Sequence, residues 1–268
     1  MSAPAESSSH DNDRYNVPAL ERGLRLLACF GPAQPVWNAP DLARALALPR
    51  STVFRMLTTL ESMGYLQRVG ADYRLGLAVL RLGYDYLSTQ PLAVLAEPVL
   101  QSLCDALGFA TNLALLDGTE VVYVCRIAPP GAFQGAVRAG SRLPAHATVL
   151  GRALLQDMGL DELLAIFGGE ALQRFSAATP CDLDALLQLL RQDRERGYAV
   201  GEGFYEAGVS SVAVPVRDER GRIVAGLGLA IPFTEIASER TSQWAQRLGE
   251  AARLLSDHLR AQHPDVPR

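Results

Sequence analysis

Apolar side chains between residues 41 and 62 fall into two short runs with helical spacing, separated by a proline. Leu42, Ala45 and Leu46 recur at intervals of three and one, which traces one face of a helix. Asn38 stands at the N-cap position, Pro40 in the first turn and Asp41 at the third helical position, all suited to the free N–H groups of a helix start. Pro49 lacks an N–H and restrains Leu48, so the chain must turn there. From Arg50 a second helix is predicted, with Val53, Met56, Leu57 and Leu60 inward and Ser51, Arg55, Thr58 and Ser62 opposite. The next segment, GYLQRVGADYRLG, reads as two strands about a Gly-Ala-Asp turn. Ahead of both helices, VPALERGLRLLACF places Leu20, Leu24, Leu27 and Ala28 at helical spacing, ready to pack behind them.

Helix, turn, helix and two-stranded wing in that order point to a reader of double-stranded DNA. An arginine can donate two hydrogen bonds to guanine, and Ser and Thr hydroxyls reach base edges or phosphates. The candidate contacts are therefore Arg50, Ser51, Thr52, Arg55, Thr58 and Thr59 on the second helix, with Arg68 and Arg74 flanking the wing tip. Alone, the second helix would equally suit an ordinary solvated face; the wing tips the balance. Charge changes the picture only when divided. The chain carries −4 overall with a pI near 5.6, which argues against nucleic acid. Yet residues 14–81 hold nine Arg against four acids, and residues 82–268 hold 16 against 22. Every basic residue is Arg, none Lys; we read this mainly as codon bias.

Beyond the wing, LGLAVLRLGYDYLS repeats Leu77, Leu80, Tyr84 and Leu87 on one stripe. Such a helix is too apolar for a simple spacer and suits a twin in a dimer. From Pro91 the pattern becomes α+β: a helix, then strands in NLALLDGTEVVYVCRI folded at Asp117-Gly118 and in FQGAVRAG. Helices follow near 148–158 and 182–196, strands near 210–217 and 223–231, and a last helix near 237–262. The expected division is a disordered tail at 1–15, a winged helix-turn-helix domain at 16–76, a linker helix at 77–90 and a second domain at 91–264. No apolar run approaches the roughly 20 residues that span a bilayer, and the polar start lacks the order of a signal peptide, so a cytoplasmic protein without membrane contact is expected. Cys29, Cys104, Cys125 and Cys181 are scattered, as are the four His; neither a disulfide framework, a metal site nor any cofactor is indicated.

Four strings, in this order and at these separations, carry a resemblance: ERGLRLLACF, LPRSTVFRMLTTLESMGYLQR, GSRLPAHATVLGRALL and RGYAVGEGFYEAGVSSVAVPVRDERGRIVAGLGLAIP. Along nearly its whole length the chain is similar to the IclR family of bacterial transcription regulators. The resemblance implies a winged helix-turn-helix joined by a linker helix to an effector-binding domain of GAF-like α/β fold, working as a dimer or dimer of dimers and sensing small organic or aromatic acids. The family's pocket falls on Val149 and Leu150 at a helix start, Gly201 in a loop, Ser211, and Gly228 and Ala230 on the last strand. Members that bind the smallest keto acids tend to carry an acid in that loop and serines on that strand. Here Gly201, Gly228 and Ala230 offer no side-chain hydrogen bond, so a roomier pocket is expected, with Phe204 or Tyr205 nearby and an aromatic or branched acid inside. The alternative is that these small residues only permit packing. Thr148 and Gly151 belong to the same helix start, whose N–H groups attract a carboxylate. Ser210 and Ser211 are candidate donors, and Arg126 or Arg138 would neutralise an acid if turned inward, although either also suits a surface strand position. His146 either lines the pocket or fixes the turn before the helix. Two rivals stand beside a ligand-responsive regulator of a catabolic operon: a DNA-binding protein without a ligand, and a hydrolase built on Ser210, Ser211 and His146. No G-x-S-x-G or HExxH motif and no phosphate-cradling loop supports the latter.

Overall fold

A computed structural model describes residues 16–131, 137–169, 171–232 and 237–262. The chain divides into two compact units, Met1–Tyr86 and Leu87–Arg268. In the first, α1 (Pro18–Ala28), α2 (Ala39–Ala45) and α3 (Arg50–Ser62) accompany a sheet of β1 (Val36–Asn38), β2 (Leu66–Val69) and β3 (Asp72–Leu75). The strands are antiparallel in the order β1-β3-β2; β1, only three residues long, was not foreseen. Asn38 Oδ1 accepts from the Asp41 N–H at 2.8 Å, which satisfies one orphan donor of α2. The turn between α2 and α3 passes through Ala47 at φ 52°, a left-handed conformation that a non-glycine residue rarely adopts. It aligns the two helices so that Leu42, Val53 and Leu57 meet Leu26, Leu66 and Tyr73 in one core. Each buried Leu there contributes about 1.5–3 kcal/mol. Behind the wing, a Cβ on Gly76 would fall 2.2 Å from the Gly64 carbonyl oxygen, so only glycine allows that approach.

The helix α4 (Leu77–Thr89) follows. None of its residues is buried, and Leu77, Leu80, Leu82, Tyr84 and Tyr86 are all exposed.

The second unit is an antiparallel sheet between two helical layers. Its strands β4 (Ala110–Asp117), β5 (Glu120–Ile127), β6 (Arg142–Pro144), β7 (Ala199–Glu202), β8 (Ser210–Arg217) and β9 (Ile223–Ile231) lie in the order β6-β5-β4-β9-β8-β7. Against one face pack α5 (Pro91–Leu107) and α9 (Ser238–Gln262); against the other pack α6 (Val149–Leu155), α7 (Leu160–Phe167) and α8 (Leu183–Arg196). Alternation explains the layers. Leu227, Leu229 and Ile231 join the α5/α9 core, whereas Gly226 and Gly228 point at α6, where an added Cβ would stand 3.1 and 3.2 Å from Leu150 Cδ2. Small residues on that side of β9 let α6 lie close to the sheet.

Four differences from the expected elements have local causes. Of the strand expected at 133–140, residues 133–136 lie outside the described residues, and 137–140 form a turn in which the Gly140 N–H reaches the Tyr123 carbonyl at 2.7 Å. The helix expected at 148–158 ends at Leu155. The short β6 and β7 and the eight-residue α7 have too few residues to display a period. A bulge interrupts the β4–β5 ladder: Leu113 pairs with Cys125 but Ala114 pairs with Tyr123, leaving Val124 unopposed.

Candidate functional site

Two regions hold the candidate residues, one in each unit. On α3, Arg50, Ser51, Arg55, Thr58 and Thr59 are exposed and Thr52 is half-buried. Neither Arg50 nor Arg55 has a hydrogen bond or ion pair among the described residues, so both guanidinium groups are free to meet DNA. The Thr58 and Thr59 hydroxyls donate to the carbonyls of Phe54 and Arg55, four residues back, which leaves their oxygens as acceptors. In the wing, Arg74 donates twice to Gln67 Oε1, at 3.0 and 2.8 Å. Arg68 lies over the Tyr73 ring at 5.8 Å, and its Nε donates to the Gly70 carbonyl. One residue escaped the sequence reading: Phe54 is 55% exposed and shares its side of α3 with Ser51, Arg55 and Thr58. Its signal was an aromatic side chain on the polar side of the helical wheel, where a ring can meet a thymine methyl group.

In the second unit a cavity of about 80 Å³ opens between the first turn of α6, the strands β4, β5, β8 and β9, and the loop after β7. Of the sequence candidates, Thr148, Val149, Leu150, Tyr205, Ser211 and Ala230 line it. Ser211 and Ala230 are register partners across β8 and β9. Thr148 caps α6, its Oγ1 accepting from the Gly151 N–H at 3.0 Å. The remaining five candidates, His146, Gly151, Gly201, Ser210 and Gly228, do not line it. A Cβ on Gly151 would fall 2.0 Å from the Ala145 carbonyl oxygen, and one on Gly201 2.8 Å from Val149 Cγ2. Gly228 faces Leu150 as described above. Ser210 is buried in phase with Val212 and Val214, on the α5/α9 side. His146 is buried; its Nε2 meets the Gln173 carbonyl oxygen at 2.8 Å, and its ring lies edge-on to Phe167.

Four polar residues of the wall were not among the chosen candidates: Asn112, Tyr123, Arg126 and Glu206. The Arg126 guanidinium donates from Nη1 to Asn112 Oδ1 at 3.0 Å. Burial lowers the pKa of Arg126, partly offset by Tyr123 and Cys104; burial likewise pushes the Tyr123 phenol up to about 12. Arg138, the other arginine weighed above, is exposed and does not line the cavity.

The loop after β7 is fixed at one point. The Phe204 carbonyl accepts from Ser176 Oγ at 2.9 Å and Thr179 Oγ1 at 2.8 Å. The Phe204 ring lies under the Arg152 guanidinium at 4.8 Å. Arg152 is itself held by two hydrogen bonds to Asp193, at 2.8 and 2.6 Å, and one to the Val200 carbonyl. Gly203 and Gly208 bracket the segment at φ 56° and 85°, backbone that glycine adopts without strain.

A winged helix-turn-helix followed by an α/β unit that encloses a small cavity defines a class: regulators that pair a DNA-reading domain with a sensing domain. The comparisons with known proteins narrow that class. The model of the C-terminal domain of bacterial IclR transcriptional regulators matches residues 84–257, and that of the IclR helix-turn-helix domain matches residues 19–70. The chain is 31% identical over 245 residues to the transcriptional regulator XynR of Escherichia coli, covering 91% of this chain and 97% of that protein. It is 33% identical to the Pca regulon regulatory protein of Pseudomonas putida, covering 86% and 79% respectively. A solved IclR homologue from Microbacterium hydrocarbonoxydans, complexed with 4-hydroxybenzoate, superposes with a TM-score of 0.77 at 29% identity, covering 91% of this chain and 99% of that one. The chain belongs to the IclR family of DNA-binding transcription regulators. Its relatives are regulators and not enzymes, which removes the hydrolase alternative.

Proposed function

We propose that this regulator binds an operator as a homodimer or dimer of dimers and releases or engages it in response to a small aromatic acid, so controlling a catabolic operon. The observation that carries this reading is the second unit's cavity, apolar except for a few converging polar groups, in a chain whose other unit is a DNA reader. The homologue with 4-hydroxybenzoate supports an aromatic acid. The apolar, exposed stripe of Leu77, Leu80 and Tyr84 on α4 supports self-association. Operator contacts fall to Arg50, Ser51, Thr52, Arg55, Thr58 and Thr59 on α3 and to Arg68 and Arg74 on the wing. The domain limits we adopt are 16–76, 77–90 and 91–264. No helix among the described residues is long and apolar enough to cross a membrane, in keeping with action in the cytoplasm.

An engineered apolar cavity that holds benzene measures about 150 Å³, so we take an aromatic acid to require more room than the 80 Å³ present. With Phe204 tethered, the extra room comes from Tyr205, Glu206 and Ala207 moving outward between the two glycines. A ligand that favours the opened arrangement shifts its population, and the helix α4 passes that change to the paired DNA readers. Gel shifts on DNA upstream of the gene, with 4-hydroxybenzoate, benzoate, glyoxylate or pyruvate added, test the proposal. The expected result is a sequence-specific complex whose affinity changes with the aromatic acids. Titration calorimetry showing that only the two- and three-carbon keto acids bind would overturn the aromatic assignment, and operator affinity indifferent to every ligand would overturn the sensing role.

A further inference from the structure

A regular strand alternates its side chains between faces. Along β5 that rule would put Tyr123 and Cys125 together on one face and Val124 with Arg126 on the other. The bulge breaks it. Because Val124 has no partner opposite, Val124 and Cys125 both pack on the α5/α9 side, and the phase inverts. Tyr123 and Arg126 then share the cavity face, and Arg126 comes opposite Asn112, which is 3% exposed. Bulges recur beside functional sites because they re-aim a side chain in this way.

Among the described residues, Arg126 has no carboxylate within ion-pair distance. The groups that act on it electrostatically are Tyr123 and Cys104, and burial raises the pKa of both, so both are neutral at pH 7. A half-buried cation without a counter-ion is costly, and a guanidinium has a flat fork of donors that matches a carboxylate. Asn112 Oδ1 occupies one of those donors and fixes the direction of the rest. Glu206, exposed at the mouth, would repel a second negative group.

We propose that Arg126, turned inward by the bulge at Val124 and oriented by Asn112, is the carboxylate receptor of the cavity, and that this single unopposed cation selects monocarboxylates with an apolar body over uncharged analogues and over dicarboxylates. The proposal rests on the reading of this cavity as the effector site. Titration calorimetry on the full-length protein tests it with three probes of similar shape: 4-hydroxybenzoate, 4-hydroxybenzamide and terephthalate. The wild type is expected to bind 4-hydroxybenzoate at least tenfold more tightly than either of the others. Arg126→Gln should abolish the preference for acid over amide by weakening the acid at least tenfold while leaving the amide within a factor of three. Arg126→Lys, which keeps the charge but loses the fork, should fall between the two, and it carries the test if a melt shows Arg126→Gln to be unfolded. An acid-over-amide preference that survives in Arg126→Gln, or in the lysine variant at full strength, overturns the receptor assignment while leaving the effector site intact. Equal binding of acid and amide by the wild type overturns it as well. Failure of every probe to bind overturns the effector reading and this proposal together.

Discussion

Asp193 is fully buried, and two arginines of unequal exposure share it. Arg152, with a side chain 3% exposed, donates to both carboxylate oxygens, whereas Arg196, at 35%, approaches one of them from the surface. Truncating the carboxylate or the inner guanidinium therefore has unequal consequences. Asp193→Ala strands the Arg152 charge in the interior, since its remaining contacts are the Val200 carbonyl and the Phe204 ring; breaking a buried pair in this way costs about 3–5 kcal/mol. Arg152→Met leaves Asp193 paired with Arg196, fills much of the same volume and keeps a thioether against Phe204. Its main losses are the donors to the Val200 carbonyl and to Asp193 Oδ2, about 2–3 kcal/mol together. In a unit of this size 1 kcal/mol moves the melting temperature by about 2–4 °C. Asp193→Ala should thus lower the melting of the second unit by roughly 10 °C or more and Arg152→Met by less, roughly 4–9 °C, as followed by calorimetry or circular dichroism at pH 7. Equal losses in the two variants, or a larger loss in Arg152→Met, would refute the idea that the stranded charge is what destabilises.

Three further expectations concern single side chains. Arg55→Ala should cost about 1–3 kcal/mol on the operator and relax its sequence preference, whereas Arg68→Ala or Arg74→Ala should weaken specific and random DNA alike and reduce the salt slope by about one; competition gel shifts at several salt concentrations separate the two patterns. Phe54→Ala, at an exposed position, should leave the stability within about 0.5 kcal/mol of the wild type yet weaken operator binding by roughly 1 kcal/mol, and a loss of fold with no selective loss of binding would count against a DNA contact. The Asp157 carboxyl is held below the usual carboxylate range chiefly by its hydrogen bond to Arg217. A depressed carboxyl stabilises the fold above its unfolded-state value and loses that contribution as the pH falls through its folded value. Asp157→Asn should therefore melt slightly below the wild type at pH 7, by under about 1 kcal/mol because the pair is partly exposed, and the gap should close in acid. A gap that persists or widens in acid would exclude the ion pair as its source.

The DNA-reading unit was legible because its signals are local. Asn38, Pro40 and Pro49 mark helix ends within a few residues of the atoms they satisfy or exclude, and the four-residue spacings of Leu42 with Leu46 and of Val53 with Leu57 survive intact into one core. The α/β arrangement of the second unit was also visible, since the larger apolar residues recur at every second position in β8 (Val212, Val214, Val216) and β9 (Leu227, Leu229, Ile231). Short elements were not: AVGE in β7 and RLP in β6 become strands only because a neighbour supplies the ladder.

The wall of the cavity divides along the same line. Val149, Leu150 and Ser211 stand on elements whose direction a period reveals, but glycines have no side chain to announce a direction. Gly201 and Gly228 read equally well as open space and as places where another element comes close, and their contacts with Val149 and Leu150 are of the second kind. Arg126 is the harder case, because the bulge that re-aims it lies within Val121-Val122-Tyr123-Val124-Cys125, where four of the five residues are small and apolar and a one-residue slip leaves the pattern unchanged. Strict alternation carried along β5 from Tyr123 sends Arg126 away from the cavity, toward solvent or α5. Only the partner strand, by pairing Leu113 with Cys125, reverses that phase. The cation best placed to choose an effector is thus set by a contact between residues twelve apart, and strand periodicity places it on the wrong face.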